Sequence, residues 1–434
     1  MSVSSQRLGL WGATALVVGH TIAVGIFLTP AELIGALASP ALTLGLWIGC
    51  GALVLAGAFT FGELASRYPF AGGPYVYLRE AWGERIAFLY GWQSMLVMDP
   101  GVTAALATGL SEYAVLLWPG FGGAERAVAI AVIWILAAVS AAGFTLSTRM
   151  LGIMTAVKLI AFVAVVVAAF ASGSGSWSHF EPFMSRQATD VPIAEAVALG
   201  LVAVFFSFGG FWEASRIAGE VREPSRTMPA ALAIGVTIVT LVYVATTVAL
   251  MYLVPVQEST SAAEFARQAG ERMLGPSGPG VLAAIVVVSV LASALALLIM
   301  APRLYVAMTR DGLFPASLAA VNPVTQSPAR ATVLLAVLAS LYVFVGTFQQ
   351  IVAYFICTAL AFIALAAASL VRIRRREPDR GAFSAPGYPV TTVLFVLLVL
   401  SVVILVALNR PLQAGAGFVI VLLGVPAHRI LKRS

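Results

Sequence analysis

The chain has 434 residues, 60% of them apolar and only 10% charged, with a formal net charge of +6. Soluble domains carry about 25% charged residues, so this depletion excludes an ordinary water-soluble globule and points to a chain embedded in lipid. The two cysteines, Cys50 and Cys357, lie in apolar stretches and give neither a disulfide framework nor a CxxC metal spacing; they read as small packing residues.

A helix that crosses a bilayer needs about 20 predominantly apolar residues. The polar start MSVSSQR leads into an apolar run too long for the ~7–15-residue core of a signal peptide, so it reads as a retained first span. The same rule predicts spans near 8–37, 40–66, 85–115, 126–146, 149–171, 192–220, 228–254, 279–309, 330–347, 350–371, 388–408 and 412–430. These runs are too long for barrel strands and lack strand alternation, so all twelve are expected to be helical. The whole of 1–434 reads as one transmembrane domain, with helices 1–5 over about 8–171, helices 6–10 over about 192–376 and helices 11–12 over about 388–430.

Charge orients this set. Taken alternately, the connections on one side hold nineteen of the 25 Lys and Arg residues, among them Arg7, Arg67, Arg79, Arg149, Arg216, Arg303, Arg310 and Arg429. The other side holds five: Arg126, Arg186, Arg267, Arg272 and Arg410. The positive-inside rule then places both termini in the cytoplasm, and shifting the count by one helix scrambles the split. RIRRREPDR, at 372–380, reads as a lipid-facing anchor on the basic side. Glu63, Glu220 and Glu223 are expected to pair with arginines there. Segment 258–274 has helical spacing and reads as a surface helix on the opposite face.

The first span contains VGHTIAVGIFLTP at 18–30. Gly25 and the small Ala23 favour unwinding, and Pro30 limits how the helix restarts. Freed backbone groups at membrane depth are tolerated only where they line a cavity or are buried in protein. The sixth span carries a second candidate break, FFSFGGFWEASRIAGE, with Gly209 and Gly210 between aromatics and Glu213 and Arg216 close behind. Breaks in the first and sixth spans suggest two five-helix halves with a site between inverted repeats. The restart near Gly25, Ile26 and Phe27 presents unpaired N–H groups and a positive dipole end, which suit a carboxylate. Carbonyls near Gly19–Ile22 and Ser207–Phe208 suit an ammonium. Together they match the head of an α-amino acid; the plainer alternative is a pair of glycine kinks for packing.

Lys158 lies about ten residues into the fifth span, roughly 15 Å deep at ~1.5 Å per residue. An ammonium there costs at least about 2.5–3.5 kcal/mol, so it is expected to face the bundle. It either binds carbonyls at the end of the first half of helix 1 or pairs with Asp99. Asp99 either caps a helix restart at Pro100 or meets Lys158, a proton or a cationic substrate. Glu213 sits in the site or in an inner vestibule. His20 either titrates near neutral pH or packs with a hydrogen bond. HExxH, GxSxG and P-loop signatures are missing, and nothing suggests an enzyme, a cofactor, a metal or nucleic-acid binding. The other classes weighed were an ion channel and a receptor without transport.

Six segments in order resemble the amino acid–polyamine–organocation transporters, most closely their L-type amino acid transporter branch. They are VGHTIAVGIFLTP, ELASRYPFAGGPYVYLREAWG, TAVKLIAF, FSFGGFWEASRIAGEVREPSRTMPAAL, APRLYVAMTRDGLFP and RRREPDRGAFSAPGYPVTTVLF. The resemblance implies an all-α integral membrane protein with the leucine-transporter fold: twelve helices, five plus five inverted and two more, with helices 1 and 6 discontinuous. It implies substrate contacts from Ile22, Ala23, Val24, Gly25 and Ile26, and from Ser207, Phe208, Gly209 and Phe211. Phe206 matches an aromatic that closes over the substrate. Lys158 matches a lysine that stands where relatives hold sodium, which implies sodium-independent transport. Two departures are visible. The family's Gly-small-Gly is Ala23-Val24-Gly25 here, and Glu213 is unusual for the neutral branch. The expectation is a plasma-membrane permease without cofactor, an exchanger or proton-coupled carrier of small to mid-sized neutral L-amino acids, with a cationic amino acid or polyamine carrier as the alternative. It is expected to be a monomer, with no obvious outer cysteine to tether an accessory subunit.

Overall fold

The computed structural model describes residues 8–23, 25–184, 186, 192–255, 262–344, 348–378 and 382–431. Among the described residues the structure is built of helices and their connections, with a single backbone bridge between Leu8 and Val221 in place of any strand. The α-helices are α1 Leu10–Thr21, α2 Gly25–Leu37, α3 Pro40–Arg67, α4 Pro74–Trp82, α5 Glu84–Gln93, α6 Asp99–Leu117, α7 Glu125–Ala142, α8 Phe144–Ala171, α9 Ile193–Ser207 and α10 Pro224–Leu253. They continue with α11 Ala262–Leu274, α12 Gly278–Arg310, α13 Ala329–Tyr342, α14 Phe348–Arg376, α15 Val390–Asn409 and α16 Pro411–Leu431.

Nine helical stretches among the described residues are long and apolar enough to cross a membrane. Three expected spans fall outside that number. The first is divided into α1, 12 residues, and α2, 13 residues. The third consists of α5 and α6 joined by a π-helical turn, Ser94–Met98. The ninth, α13, is 14 residues long, and residues 345–347 beyond it lie outside the described set.

The π turn corrects the expectation of a helix restart at Pro100. Asp99 has helical dihedrals and its N–H bonds back to Ser94 O, so the helix runs on without a cap. Proline lacks an N–H and orphans the carbonyl four residues earlier. At Pro100 that carbonyl is Leu96 O, and Tyr342 Oη donates to it at 3.1 Å. At Pro302, inside α12, the orphan is Leu298 O, and Ser140 Oγ donates to it at 2.9 Å. Neighbouring helices thus satisfy backbone that lipid cannot.

Close helix contacts use glycine. A Cβ at Gly62 of α3 would lie 2.9 Å from Pro229 Cα of α10, and one at Gly51 would lie 2.6 Å from a Thr240 methyl. Small residues at a crossing let backbones approach. On α8, Ile153, Val157, Ile160, Val163 and Val167 form an exposed apolar stripe, while Leu151, Thr155, Lys158, Phe162 and Val165 are buried. The helix therefore turns one face to lipid and carries Lys158 on the other.

The connection between α14 and α15 is fastened to the end of α3. Glu63 accepts from Arg67 Nε at 2.8 Å, Arg374 Nε at 2.7 Å and Ala385 N at 2.7 Å. α15 starts beside this clamp and runs 20 residues to Asn409, about 30 Å away at 1.5 Å per residue. Asn409 and Arg410 therefore lie on the opposite face from Glu63. Glu220 pairs with Arg303 at 3.0 Å.

Candidate functional site

α1 ends at Thr21. Ile22 N still bonds to Val18 O, but Ile22 itself is extended, with ψ 98°, and helix resumes at Gly25. α9 ends at Ser207. Phe208 and Gly209 fold back with N–H bonds to Val204 O and Phe206 O, at 3.2 and 2.9 Å. Gly210 then takes φ +98°, a left-handed conformation open to glycine, and a ten-residue 3-10 helix, Phe211–Glu220, follows.

The two helix ends touch. A Cβ at Gly25 would lie 2.7 Å from Ser207 Oγ and 3.2 Å from Ser207 Cα. Thr29 and Ser207 share a hydroxyl hydrogen bond of 2.9 Å. Tyr243 of α10 donates toward Thr21 O at 3.1 Å and Ser207 O at 2.8 Å, so one phenol ties both ends. Lys158 Nζ donates to Gly19 O at 3.0 Å, Ile22 O at 2.5 Å and Ser289 O at 2.9 Å. Ser293 Oγ lies 2.8 Å from Gly19 O and 2.9 Å from Ile22 O. Four carbonyls expected to be free for an ammonium, those of Gly19, Thr21, Ile22 and Ser207, therefore have protein partners. The end of α1 carries partial negative charge, and Lys158 meets it.

Lys158 does not pair with Asp99. Arg216 of the 3-10 segment does, with Nη1 at 2.9 and 3.0 Å from the two carboxylate oxygens. Tyr305 Oη donates to Asp99 at 3.0 Å, and Arg216 Nη2 donates to Tyr90 Oη at 3.0 Å. Arg216 Nε also makes an ion contact with Glu213, whose other oxygen accepts from Trp212 Nε1 at 2.9 Å. All three ionic side chains are buried, Arg216 fully. This corrects the placement of Arg216 in a water-facing connection: it is the internal counter-ion of two carboxylates.

A cavity of about 610 Å³ opens against these groups. Of the residues expected at the site, His20, Ala23, Gly25, Phe206, Ser207, Gly209 and Glu213 line it. Ile22, Ile26, Phe208 and Phe211 are buried in the packing around it, and Phe208 stacks edge-on against Trp47 and Tyr243. Val24 lies outside the described residues. Asp99 and Lys158 are behind the wall. Much of the remaining lining is apolar, including Met98, Val102, Leu297 and Leu360, and the cavity extends to the exposed Asn409 and Arg410. Apart from these two, most of its polar groups lie where the helices break.

Toward the basic face further contacts continue from the Asp99–Arg216 cluster. Gly72 N donates to Arg216 O at 3.0 Å. Tyr75 Oη donates to Asp311 at 2.6 Å, Arg79 pairs with Asp311 at 2.5 Å, and Leu8 exchanges backbone bonds with Glu220 and Arg222 at 3.0 and 2.8 Å.

Sequence reading passed over Ser289, Ser293 and Tyr243, which hold the break of α1, and Tyr90 and Tyr305, which complete the ion cluster. Serines and tyrosines in apolar helices carry no spacing signal. Among the described residues no group of three His, Cys, Asp or Glu side chains is placed to hold a metal ion.

The chain is 28% identical to the human cystine/glutamate transporter, over 98% of this chain and 84% of the relative. It is 27% identical to the human large neutral amino acids transporter small subunit 2, over 98% of this chain and 80% of the relative. It is 24% identical to the serine/threonine exchanger SteT of Bacillus subtilis, over 99% of this chain and 97% of the relative. The model of the amino acid permease family matches residues 8–425, and the chain, a multi-pass membrane transporter rather than an enzyme, belongs to that family.

Proposed function

We propose that this protein is a sodium-independent carrier of small to mid-sized neutral L-amino acids, working by exchange or proton coupling in the plasma membrane with both termini cytoplasmic. It crosses the bilayer twelve times with five-plus-five inverted repeats and two further helices. The observation that carries this reading is the contact of the two helix ends, Gly25 on Ser207, at the edge of a cavity of about 610 Å³. The first N–H groups of α2 have no intrahelical partner and bind the substrate carboxylate. The apolar wall takes the side chain, with Phe206 as the gate. The cavity reaches Arg410, and the buried Asp99–Arg216 cluster lies behind its wall, which supports a state open to the outer face.

Lys158 supports sodium independence. Its ammonium already supplies the positive charge at the end of α1, in contact with three carbonyls, so no external cation is needed there. Glu213 supports the neutral over the cationic reading. Although it lines the cavity, its oxygens already face Trp212 and Arg216, so it offers a cationic side chain no free carboxylate. Uptake of labelled alanine, serine, leucine, arginine and putrescine into proteoliposomes, with and without internal amino acid and with and without sodium, tests the reading. Saturable uptake of the first three, unaffected by sodium, is expected. Uptake of arginine or putrescine alone overturns the neutral assignment.

A further inference from the structure

The cavity wall contains one ring whose hydrogen-bonding capacity is half used. His20 stands one residue before the end of α1, with Nδ1 3.2 Å from Ser293 O. A carbonyl only accepts, so Nδ1 carries the proton. Ser293 also has the Lys158 ammonium 3.5 Å from its hydroxyl, and a charged imidazole would set two cations on one residue. The other titratable groups nearby, Glu213 and Arg216, are committed to each other. The ring is therefore neutral, and Nε2 is left as a bare acceptor.

Nothing among the described residues answers that acceptor. The bond to Ser293 is the hydrogen bond His20 makes among the described residues, and Nε2 is not sealed in the packing with the buried unpartnered atoms. It is held beside Gly210, where a Cβ would lie 2.7 Å from it, and His20 lines the cavity. The carbonyls at the two breaks, by contrast, are occupied by Lys158, Ser293 and Tyr243. Position distinguishes the two ends of the site. Gly25 faces Ser207 of α9, whereas His20 faces Ser293 of α12 and the Gly210 elbow. A substrate carboxylate has no proton to give Nε2, so with the carboxylate on the first turn of α2 the imidazole is open to a donor elsewhere on the substrate.

We propose that His20 is a specificity-determining residue: Nε2 accepts a hydrogen bond from a hydroxyl on the substrate side chain, so that small hydroxyl-bearing L-amino acids are preferred over their apolar isosteres. This rests on the carrier reading above and goes further by naming the substrate class and the selecting atom. A polar group built to bind a hydroxyl discriminates against the analogue that lacks one, because the acceptor is then left unpaired.

The test is proteoliposome uptake of two matched pairs, serine with alanine and threonine with valine. The wild-type protein is expected to favour the hydroxyl member of each pair by about tenfold or more in kcat/KM, a factor equal to about 1.4 kcal/mol. His20→Asn keeps an amide N–H at the Nδ1 position, within reach of Ser293 O, and has no atom at Nε2. It is expected to bring both ratios to about one. His20→Gln, which returns an amide group near the Nε2 position, is expected to recover part of the preference. A wild-type protein that carries both members of each pair equally overturns the inference and leaves the carrier reading standing, whatever the variants do. Unchanged ratios in His20→Asn, or equal loss of all four substrates, overturn it as well. Failure of the wild type to carry any amino acid removes the carrier reading, and the inference with it.

Discussion

The two helix breaks at the cavity are held in different ways. The end of α1 is gripped from outside, by Lys158 of α8, Ser293 of α12 and Tyr243 of α10. The end of α9 closes on itself, through backbone bonds of Phe208 and Gly209 to the preceding turn and the left-handed Gly210. Its continuation is a 3-10 helix anchored near its far end by Arg216 on Asp99. One break is a fixed point set by three other helices; the other is a local turn with a distant tether. In a carrier whose cavity must open to each side in turn, the first is suited to be the pivot and the second to be the moving part.

Removing the pivot's grip should have the largest effect. Lys158→Ala leaves buried carbonyls without a donor, at about 1–3 kcal/mol each, and is expected to lower amino acid uptake about 100-fold or more while the protein still reaches the membrane, as read by surface labelling. Uptake near wild type would show that the end of α1 does not need the ammonium. Gly25→Ala probes the contact between α2 and the end of α9. Its Cβ meets both the side chain and the backbone of Ser207, and binding of L-alanine should weaken about tenfold or more, because a clash with backbone does not relax cheaply.

The tether should respond differently. Arg216→Gln removes the shared counter-ion of two buried carboxylates, Asp99 and Glu213, a change that costs about 3–5 kcal/mol, so thermal stability in detergent should fall clearly. Adding Asp99→Asn and Glu213→Gln to Arg216→Gln should return part of that loss, since no buried charge is then left alone. A triple variant no better than the single one would deny the pairing. Tyr243→Phe tests the phenol that joins the end of α1 to the end of α9. It is expected to lower uptake about tenfold, with expression unchanged, by freeing Thr21 O and Ser207 O together. Glu213→Gln is the smallest change expected. Alanine uptake should move by less than about threefold, since the Trp212 bond survives. Loss of transport would make this carboxylate part of the substrate or proton path.

The sequence carried the pieces of this architecture and not their pairing. Apolar runs near bilayer length, interrupted by Gly25, Gly209 and Gly210, marked the breaks because glycine acts through the local chain, whereas Pro30 lies inside α2. Lys158 stood out because it is one of only two lysines and the other is in the tail. The partners were not legible. Arg216 and Asp99 are 117 residues apart, and Arg216, next to a basic loop, read as water-facing until the 3-10 segment turned it inward. The occupation of the Gly19, Ile22 and Ser207 carbonyls depends on hydroxyls of Ser293 and Tyr243, residue types that occur throughout apolar helices. Pro100 read as a helix start because proline favours that position; the π turn at Ser94–Met98 and the Tyr342 hydroxyl instead let the helix pass through it.

If the bared end of α2, beside Ser207, binds the head of a zwitterion, a cryo-electron microscopy structure of the protein with L-alanine bound will show density in the cavity with the carboxylate within hydrogen-bond distance of the Gly25 and Ile26 N–H groups and the methyl directed at the apolar wall. Alanine held elsewhere, or a cavity still empty at saturating alanine, would contradict it.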